Sequence, residues 1–308
     1  MKPVDLVHPQ LRPMVDSVPP RAVSEEFVAA VRASTRPPVE LSDRVERSDH
    51  LVPGDPEVPV RVHVPKDDPV GLRPCMYSIH GGGYFAGSYE GYDGLYDRLC
   101  PRLGLVGVSV EYRLAPETSY PGPLEDCYRA LLWTFEHADE LGVDRARIGV
   151  HGGSAGGGLA AAVALLARDR GEVALAFQVL ESPMLDDRQA TRSSQLDGLP
   201  IWTREANAFG WRCYLGSRYG TGDVPYTAAP ARAADLSGLP PALVTVGAVD
   251  GFLDEDVDYA LRLNHAGVPA ELHVYPGACH GYQLAGDSEI SRQHNRDTED
   301  WIARQTRD

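Results

Sequence analysis

Nowhere in the 308 residues does an apolar run approach the ~20 residues that a membrane-spanning helix needs. The opening Met1-Lys2-Pro3-Val4-Asp5 also lacks the basic-then-apolar order of a secretory signal. A cytoplasmic protein with no membrane partner is therefore the expectation. Positive charge is scarce as well: 29 Lys and Arg stand against 44 Asp and Glu, a formal net charge of −15. Phosphate binding draws on clustered cations, so nucleic acid is not an expected partner. The five cysteines (Cys75, Cys100, Cys127, Cys213 and Cys279) are odd in number and scattered, with no C-x-x-C pair. They read as buried free thiols, not as a disulfide or zinc framework. No His, Cys or carboxylate cluster has metal-ligand spacing, so neither a metal nor an organic cofactor is expected. Repeats and low-complexity tracts are also absent.

What remains is globular. Hydrophobic residues make up 43% of the chain, enough for a sizeable core. Residues 1–308 are expected to form a single domain, since α/β folds often run past 200 residues as one unit. The first ~40 residues are rich in Pro, with one helix-like stretch at 24–33. Two β-branched segments follow, at 44–52 and 58–64, joined by the turn Pro53-Gly54-Asp55. From residue 75 onward, apolar runs at 75–80, 105–112, 147–151, 174–180, 242–249 and 270–275 alternate with helical patterns. Leu124, Tyr128, Leu131, Leu132, Phe135 and Ala138, for example, share one helical face. Strands that are apolar throughout, alternating with helices, predict an α/β fold with a mostly parallel sheet covered on both faces. Between residues 182 and 240 the rhythm breaks, with acidic turns at Asp186-Asp187 and an aromatic helical stretch at 203–215. This interval, about 183–230, is expected to meet residues of about 1–42 and roof the C-terminal edge of the sheet, where ligands of open α/β sheets bind.

Gly152-Gly153-Ser154-Ala155-Gly156 follows the predicted strand 147–151 and opens a small-residue helix. A G-x-S-x-G match by itself is weak in a chain with 31 glycines. Between a strand and a helix it describes a nucleophile elbow, a tight turn that presents a serine beside the free N–H groups of a helix start. His80-Gly81-Gly82-Gly83 directly follows the strand 75–79, and its glycines allow backbone N–H groups to converge on one point. With the amide of Ala155 after the nucleophile, Gly82 and Gly83 form a candidate oxyanion hole. A serine hydroxyl also needs a base, and in this arrangement the acid and then the histidine follow it along the chain. His280 lies just past the last predicted strand, and Asp250 ends the strand 242–249. The other histidines sit within strands, within helices, before the core or, for His80, where it braces the glycines. Asp254 and Glu255 compete with Asp250 as the acid, but both belong to a helix N-terminus, which favours acidic residues anyway. Position favours Asp250.

Together these residues resemble the hormone-sensitive-lipase-like esterases of the α/β-hydrolase superfamily, from about Val60 onward. The resemblance rests on "HGGGYFAGS" at 80–88, "YRLAPETSYPGPLED" at 112–126, "GGSAGGGLAA" at 152–161, "DGFLDED" at 250–256 and "HGY" at 280–282. It implies an α/β-hydrolase fold with a helical cap, Ser154, Asp250 and His280 as the triad, and Gly82, Gly83 and Ala155 as the oxyanion hole. It also implies a small-molecule ester substrate and, as in many members, a homodimer through the last strand. "FQVLESPMLDDR" at 177–188 and "DLSGLPP" at 235–241 are most similar to bacterial heroin-esterase-like acetylesterases. The chain departs from the family in two places: Gly153 stands where an acidic residue usually precedes the nucleophile, and the Asp-Pro-Leu segment reads Asp250-Gly251-Phe252.

The expected activity is thus that of a serine carboxylester hydrolase working through an acyl-enzyme. An amidase or acyltransferase would use the same triad. A non-catalytic receptor of the same fold is the other reading, which the presence of His280 opposes. Tyr84, Phe85, Trp202 and Phe209 are candidate substrate-binding residues, although helix-spaced aromatics are more often core packing. Bulky rings near a roof confine a pocket, so acetyl to hexanoyl esters are the expected substrates.

Overall fold

The computed structural model describes residues 2–18, 24–33, 39–67, 71–286 and 288–307. Among them, eight strands form one sheet: β1 (Val45–Val52), β2 (Val58–Pro65), β3 (Arg73–Ile79), β4 (Val106–Val110), β5 (Val143–Gly153), β6 (Gln178–Glu181), β7 (Ala242–Val249) and β8 (Ala270–Cys279). Their spatial order is β1-β2-β4-β3-β5-β6-β7-β8. The β1–β2 hairpin and the β2–β4 pair are antiparallel, and every other neighbouring pair is parallel. The helices are α1 (Arg12–Ser17), α2 (Glu25–Ala33), α3 (Asp93–Leu103), α4 (Gly122–Glu136), α5 (Ala155–Arg170), α6 (Arg204–Leu215), α7 (Leu253–His265) and α8 (Glu289–Gln305).

Central strands β3 and β4 are buried at every position, as strands covered on both faces must be. One face packs against α4, α5 and α7, where Leu124, Leu131, Leu159, Val163, Tyr259 and Leu263 meet the sheet. On the other face Tyr96 and Leu99 of α3 and Trp301 and Ile302 of α8 join Met76, Phe177 and Val179. All five cysteines are buried and free. Three strands differ from their apolar runs by three residues or more at one end, among them β8, which runs past residue 275 to Cys279. β5 starts at Val143, which pairs with Arg73, and not at residue 147. β6 starts at Gln178, although Ala176 N and Phe177 O already bond to Ile148 O and Val150 N of β5, and the Phe177 ring fills the space where a Cβ on Gly149 would stand, 2.3 Å away.

The parallel strands end at one edge, and the loops leaving β3, β5, β7 and β8 carry residues 80–83, 154, 250 and 280 there. Two other regions meet above that edge. From the N-terminal segment, Val28 of α2 packs with Phe85 and Ala86 against Trp202 and Phe209. Arg32 of α2 pins the contact, donating to the carbonyls of Phe85 (2.7 Å) and Ala115 (2.8 Å) and pairing with Glu117. Val7 and Leu11 pack on Val249, Tyr275, Cys279 and Tyr282. Of the expected segment 1–42, residues 1, 19–23 and 34–38 lie outside the described residues.

The insertion 183–230 contains α6 and no strand. Asp186 and Asp187, read from sequence as acidic turns, are buried. Arg188 grips Asp186 and Arg232 grips Asp187, each through two nitrogens at 2.6–2.9 Å. Burying a carboxylate is tolerated here because both of its oxygens are paired.

Candidate active site

Ser154 sits between β5 and α5 with φ 57° and ψ −126°, a left-handed backbone that a non-glycine residue adopts only when its surroundings enforce it. The enforcement is visible. Ser154 N donates to Glu181 O (2.8 Å), and Ser154 O accepts from Gly158 N and Met184 N, each at 3.0 Å. At Gly152 an added Cβ would lie 2.2 Å from Gly156 O, so the turn closes only around glycine. The result thrusts the serine side chain out of the sheet edge.

His280 is delivered by the extension of β8 to Cys279, and Asp250 by the residue after β7. His280 Nε2 lies 2.9 Å from Ser154 Oγ, and His280 Nδ1 lies 2.8 Å from Asp250 Oδ2. The other Asp250 oxygen accepts from Phe252 N at 3.1 Å, and Phe252 stands edge-on to the imidazole with centroids 5.1 Å apart. The carboxylate is 2% exposed, so water does not compete for it. Asp254 and Glu255 are engaged elsewhere. Asp254 Oδ2 accepts from Ser193 N (2.7 Å), tying the insertion to α7, and Glu255 Oε1 accepts from Leu185 N and Asp186 N. Burial pushes the Glu255 and Asp256 carboxyls well above the usual carboxylate range, and neither touches His280.

A cavity of about 290 Å³ opens over Ser154 and His280. Gly81, Gly82 and Gly83 form one wall, and Tyr92, Ile201, Trp202, Gln283 and Leu284 contribute others. Gly83 has φ 62°, and a Cβ on it would lie 2.4 Å from Cη2 of Trp202. The amide of Ala155 heads α5, where the first N–H groups of a helix have no intrahelical acceptor. His80 supports this loop: its Nδ1 is 2.9 Å from Gly81 O, and its ring stacks on Tyr112 with centroids 4.2 Å apart. Tyr112 O–H in turn donates to His80 O.

Among solved structures, a bacterial heroin esterase superimposes with a TM-score of 0.90 at 40% identity, covering 99% of both chains. A model of the α/β hydrolase fold family matches residues 76–284, more than half of the chain. The chain belongs to the hormone-sensitive-lipase-like esterases of that fold. Two relatives are from Mycobacterium tuberculosis. Esterase LipI is 34% identical over 282 residues, spanning 90% of this chain and 88% of the relative. Carboxylesterase NlhH is 36% identical over 284 residues with the same coverage.

Within this esterase, the four aromatic residues expected at the substrate do not all reach the cavity. Trp202 lines it, with its ring centroid 6.0 Å from that of His280. Tyr84, Phe85 and Phe209 do not. Tyr84 is fully buried, stacked on Tyr214 at 4.1 Å, with its hydroxyl donating to Met184 O. Phe85 and Phe209 pack edge to face at 5.4 Å under α2. Each ring removes ~150–250 Å² from water by packing against its neighbours, which outweighs any tendency to face an open cavity.

The sequence reading also overlooked residues. Glu181 and Ser182, at the end of β6, line the cavity; their place at a strand's C-terminal end was the available signal. Glu181 Oε1 lies 3.0 Å from His294 Nε2 and 3.5 Å from His151 Nε2. Burial by itself would raise the Glu181 carboxyl, but these two partners outweigh it and hold the group well below the usual range. His294 is therefore a buried residue, although it comes from a helix that reads as polar. The departure at Gly153 acquires a reason here. A Cβ at that position would lie 3.8 Å from Glu181 Oε2, so a carboxylate at 153 would face one already present. The long 112–126 motif proves to be a clamp, with Arg113 donating to both oxygens of buried Asp126 at 2.7 and 2.8 Å.

Proposed function

We propose that this carboxylesterase cleaves short-chain acyl esters, acetyl to hexanoyl, of small alcohols, with Ser154 as nucleophile, His280 as general base and Asp250 as the group that orients it. The observation that carries the reading is the unbroken contact from Ser154 Oγ to His280 Nε2 (2.9 Å) and from His280 Nδ1 to Asp250 Oδ2 (2.8 Å), at the floor of a cavity walled by glycine amides.

In the first half-reaction His280 accepts the Ser154 proton as Oγ attacks the ester carbonyl. The carbonyl oxygen becomes an oxyanion held by the amides of Gly82, Gly83 and Ala155. Collapse breaks the bond to the alkoxy oxygen, which takes the proton from His280 and leaves as alcohol, with the acyl group on Ser154. Water then repeats the steps and releases the acid. Asp250 keeps Nδ1 protonated, so that Nε2 presents a lone pair to the serine.

The preference for short chains rests on the cavity, whose volume of about 290 Å³ falls just below the roughly 300–1,000 Å³ of sites that take drug-sized ligands. In this reading residues 1–42 and 183–230 act as a cap that limits the cavity, with Trp202 as its contribution to the wall. Two measurements test the proposal. A fluorophosphonate should label wild-type protein and not Ser154→Ala, whose kcat should fall by at least about a thousandfold with the fold retained. Across p-nitrophenyl esters, kcat/KM should peak between acetyl and hexanoyl. Labelling of Ser154→Ala removes the nucleophile, and a preference for emulsified long-chain triglycerides removes the chain-length reading.

A further inference from the structure

One carboxylate lines the cavity. Neither Lys nor Arg lines it, and Glu181 is the one carboxylate among its described lining residues. His294 Nδ1 has the Tyr282 hydroxyl at 3.1 Å, and His151 Nδ1 has the Ser78 hydroxyl at 2.9 Å. The Tyr282 hydroxyl can donate to His294 Nδ1 while Nε2–H donates to Glu181 Oε1, and Ser78 Oγ is shared between His151 Nδ1 and the Tyr96 hydroxyl. The second oxygen, Oε2, takes no hydrogen bond from any described residue, and the Glu181 side chain keeps 14% exposure at the cavity. A carboxylate oxygen so placed has unused acceptor capacity beside the reacting serine, in a site whose other walls include the rings of Tyr92 and Trp202, the side chains of Ile201 and Leu284 and the uncharged polar side chains of Ser88 and Gln283.

We propose that Glu181 Oε2 is a subsite for a protonated amine carried by the ester, so that this enzyme favours cationic amino-esters over neutral esters of the same shape. The proposal rests on the assignment of this cavity as the ester site. An alkylammonium N–H would donate to Oε2, and its alkyl groups would lie against Trp202 or Tyr92, whose faces attract cations. No Lys or Arg among the described lining residues competes with the ammonium for that oxygen. Glu181 is therefore a specificity-determining residue and takes no part in proton transfer to or from Ser154.

The test uses two pairs of isosteric substrates that differ only by N–H⁺ in place of C–H. Dimethylaminoethyl acetate against isopentyl acetate puts the charge on the alcohol side. Ethyl γ-dimethylaminobutanoate against ethyl δ-methylhexanoate puts it on the acyl side. The cationic-to-neutral ratio of kcat/KM is measured at neutral pH in wild type and in Glu181→Gln, so that any general loss in the variant cancels within each ratio. For at least one pair the ratio should fall by about tenfold or more in Glu181→Gln, chiefly through KM, as expected for losing one hydrogen bond to a charged group. Equal ratios in the two proteins for both pairs overturn the proposal. Should Glu181→Gln not fold, wild type decides: adding salt should lower its ratio for the favoured pair, and a preference for the neutral member of both pairs overturns the idea. Hydrolysis of isopentyl acetate that disappears in Ser154→Ala reports on the esterase assignment separately, since that substrate carries no charge for Glu181 to meet.

Discussion

Replacing Asp250 with Asn keeps the side chain's shape and tests the orienting contact alone. Both Asp250 oxygens are in use, Oδ2 by His280 Nδ1 at 2.8 Å and Oδ1 by Phe252 N at 3.1 Å. Asparagine has one oxygen for these two donors. If its oxygen stays with Phe252 N, its NH₂ faces His280 and forces Nδ1 to accept. The ring proton then sits on Nε2 and points at Ser154, so the base is blocked. If the oxygen turns to His280, the NH₂ opposes the Phe252 N–H in a site only 2% exposed, at a cost of about 1–3 kcal/mol in stability. Either orientation also removes the negative charge that stabilises the imidazolium. A loss of about 10⁴ in kcat is expected, or about 5 kcal/mol of transition-state stabilisation. Asp254→Asn is the control. Its oxygen can still accept from Ser193 N, and the loss of charge at the start of α7 costs only about 0.3–1 kcal/mol of stability. Initial rates on p-nitrophenyl acetate, with near-ultraviolet circular dichroism to verify folding, separate the two. Equal losses in both variants, or less than about tenfold in Asp250→Asn, would refute the assignment of the acid.

Two further substitutions probe the cavity wall. Gly83→Ala places a methyl 2.4 Å from Trp202 Cη2 at φ 62°, so the loop must move; kcat should fall by about 10²–10³ if the loop's amides hold the oxyanion, while an unchanged kcat would remove Gly83 from that role. Trp202→Ala deletes the indole from the cavity and should move the optimum of kcat/KM to longer acyl chains, read on a p-nitrophenyl ester series. A profile identical to wild type would show that another residue sets the limit.

What the chain's own order of residues determined is the part of the molecule governed by local rules. Strand-then-glycine-then-helix punctuation placed Ser154 at an elbow and Gly82 and Gly83 on the neighbouring loop, because a turn that tight admits only certain backbone conformations. Apolar runs and one-faced helical spacing gave the sheet and its layers, since periodicity reports directly which residues leave water. It also brought Asp250 and His280 to strand ends at the correct edge. It left the choice among Asp250, Asp254 and Glu255 to position alone, because three acids within six residues share one local environment. Only the tertiary structure separated them, by turning Asp254 to Ser193, Glu255 to the amides of Leu185 and Asp186, and Asp250 to His280. The fate of large side chains was likewise decided in three dimensions: Tyr84, beside the glycines 81–83 in sequence, found Tyr214 and left the cavity to Trp202. The carboxylate at the cavity wall shows the same division most clearly. Glu181 meets a histidine 113 residues away, and no spacing rule links a strand end to the buried face of a terminal helix. Local stereochemistry acts over a few residues and can be read from sequence, whereas which charge faces which cavity depends on how whole layers dock.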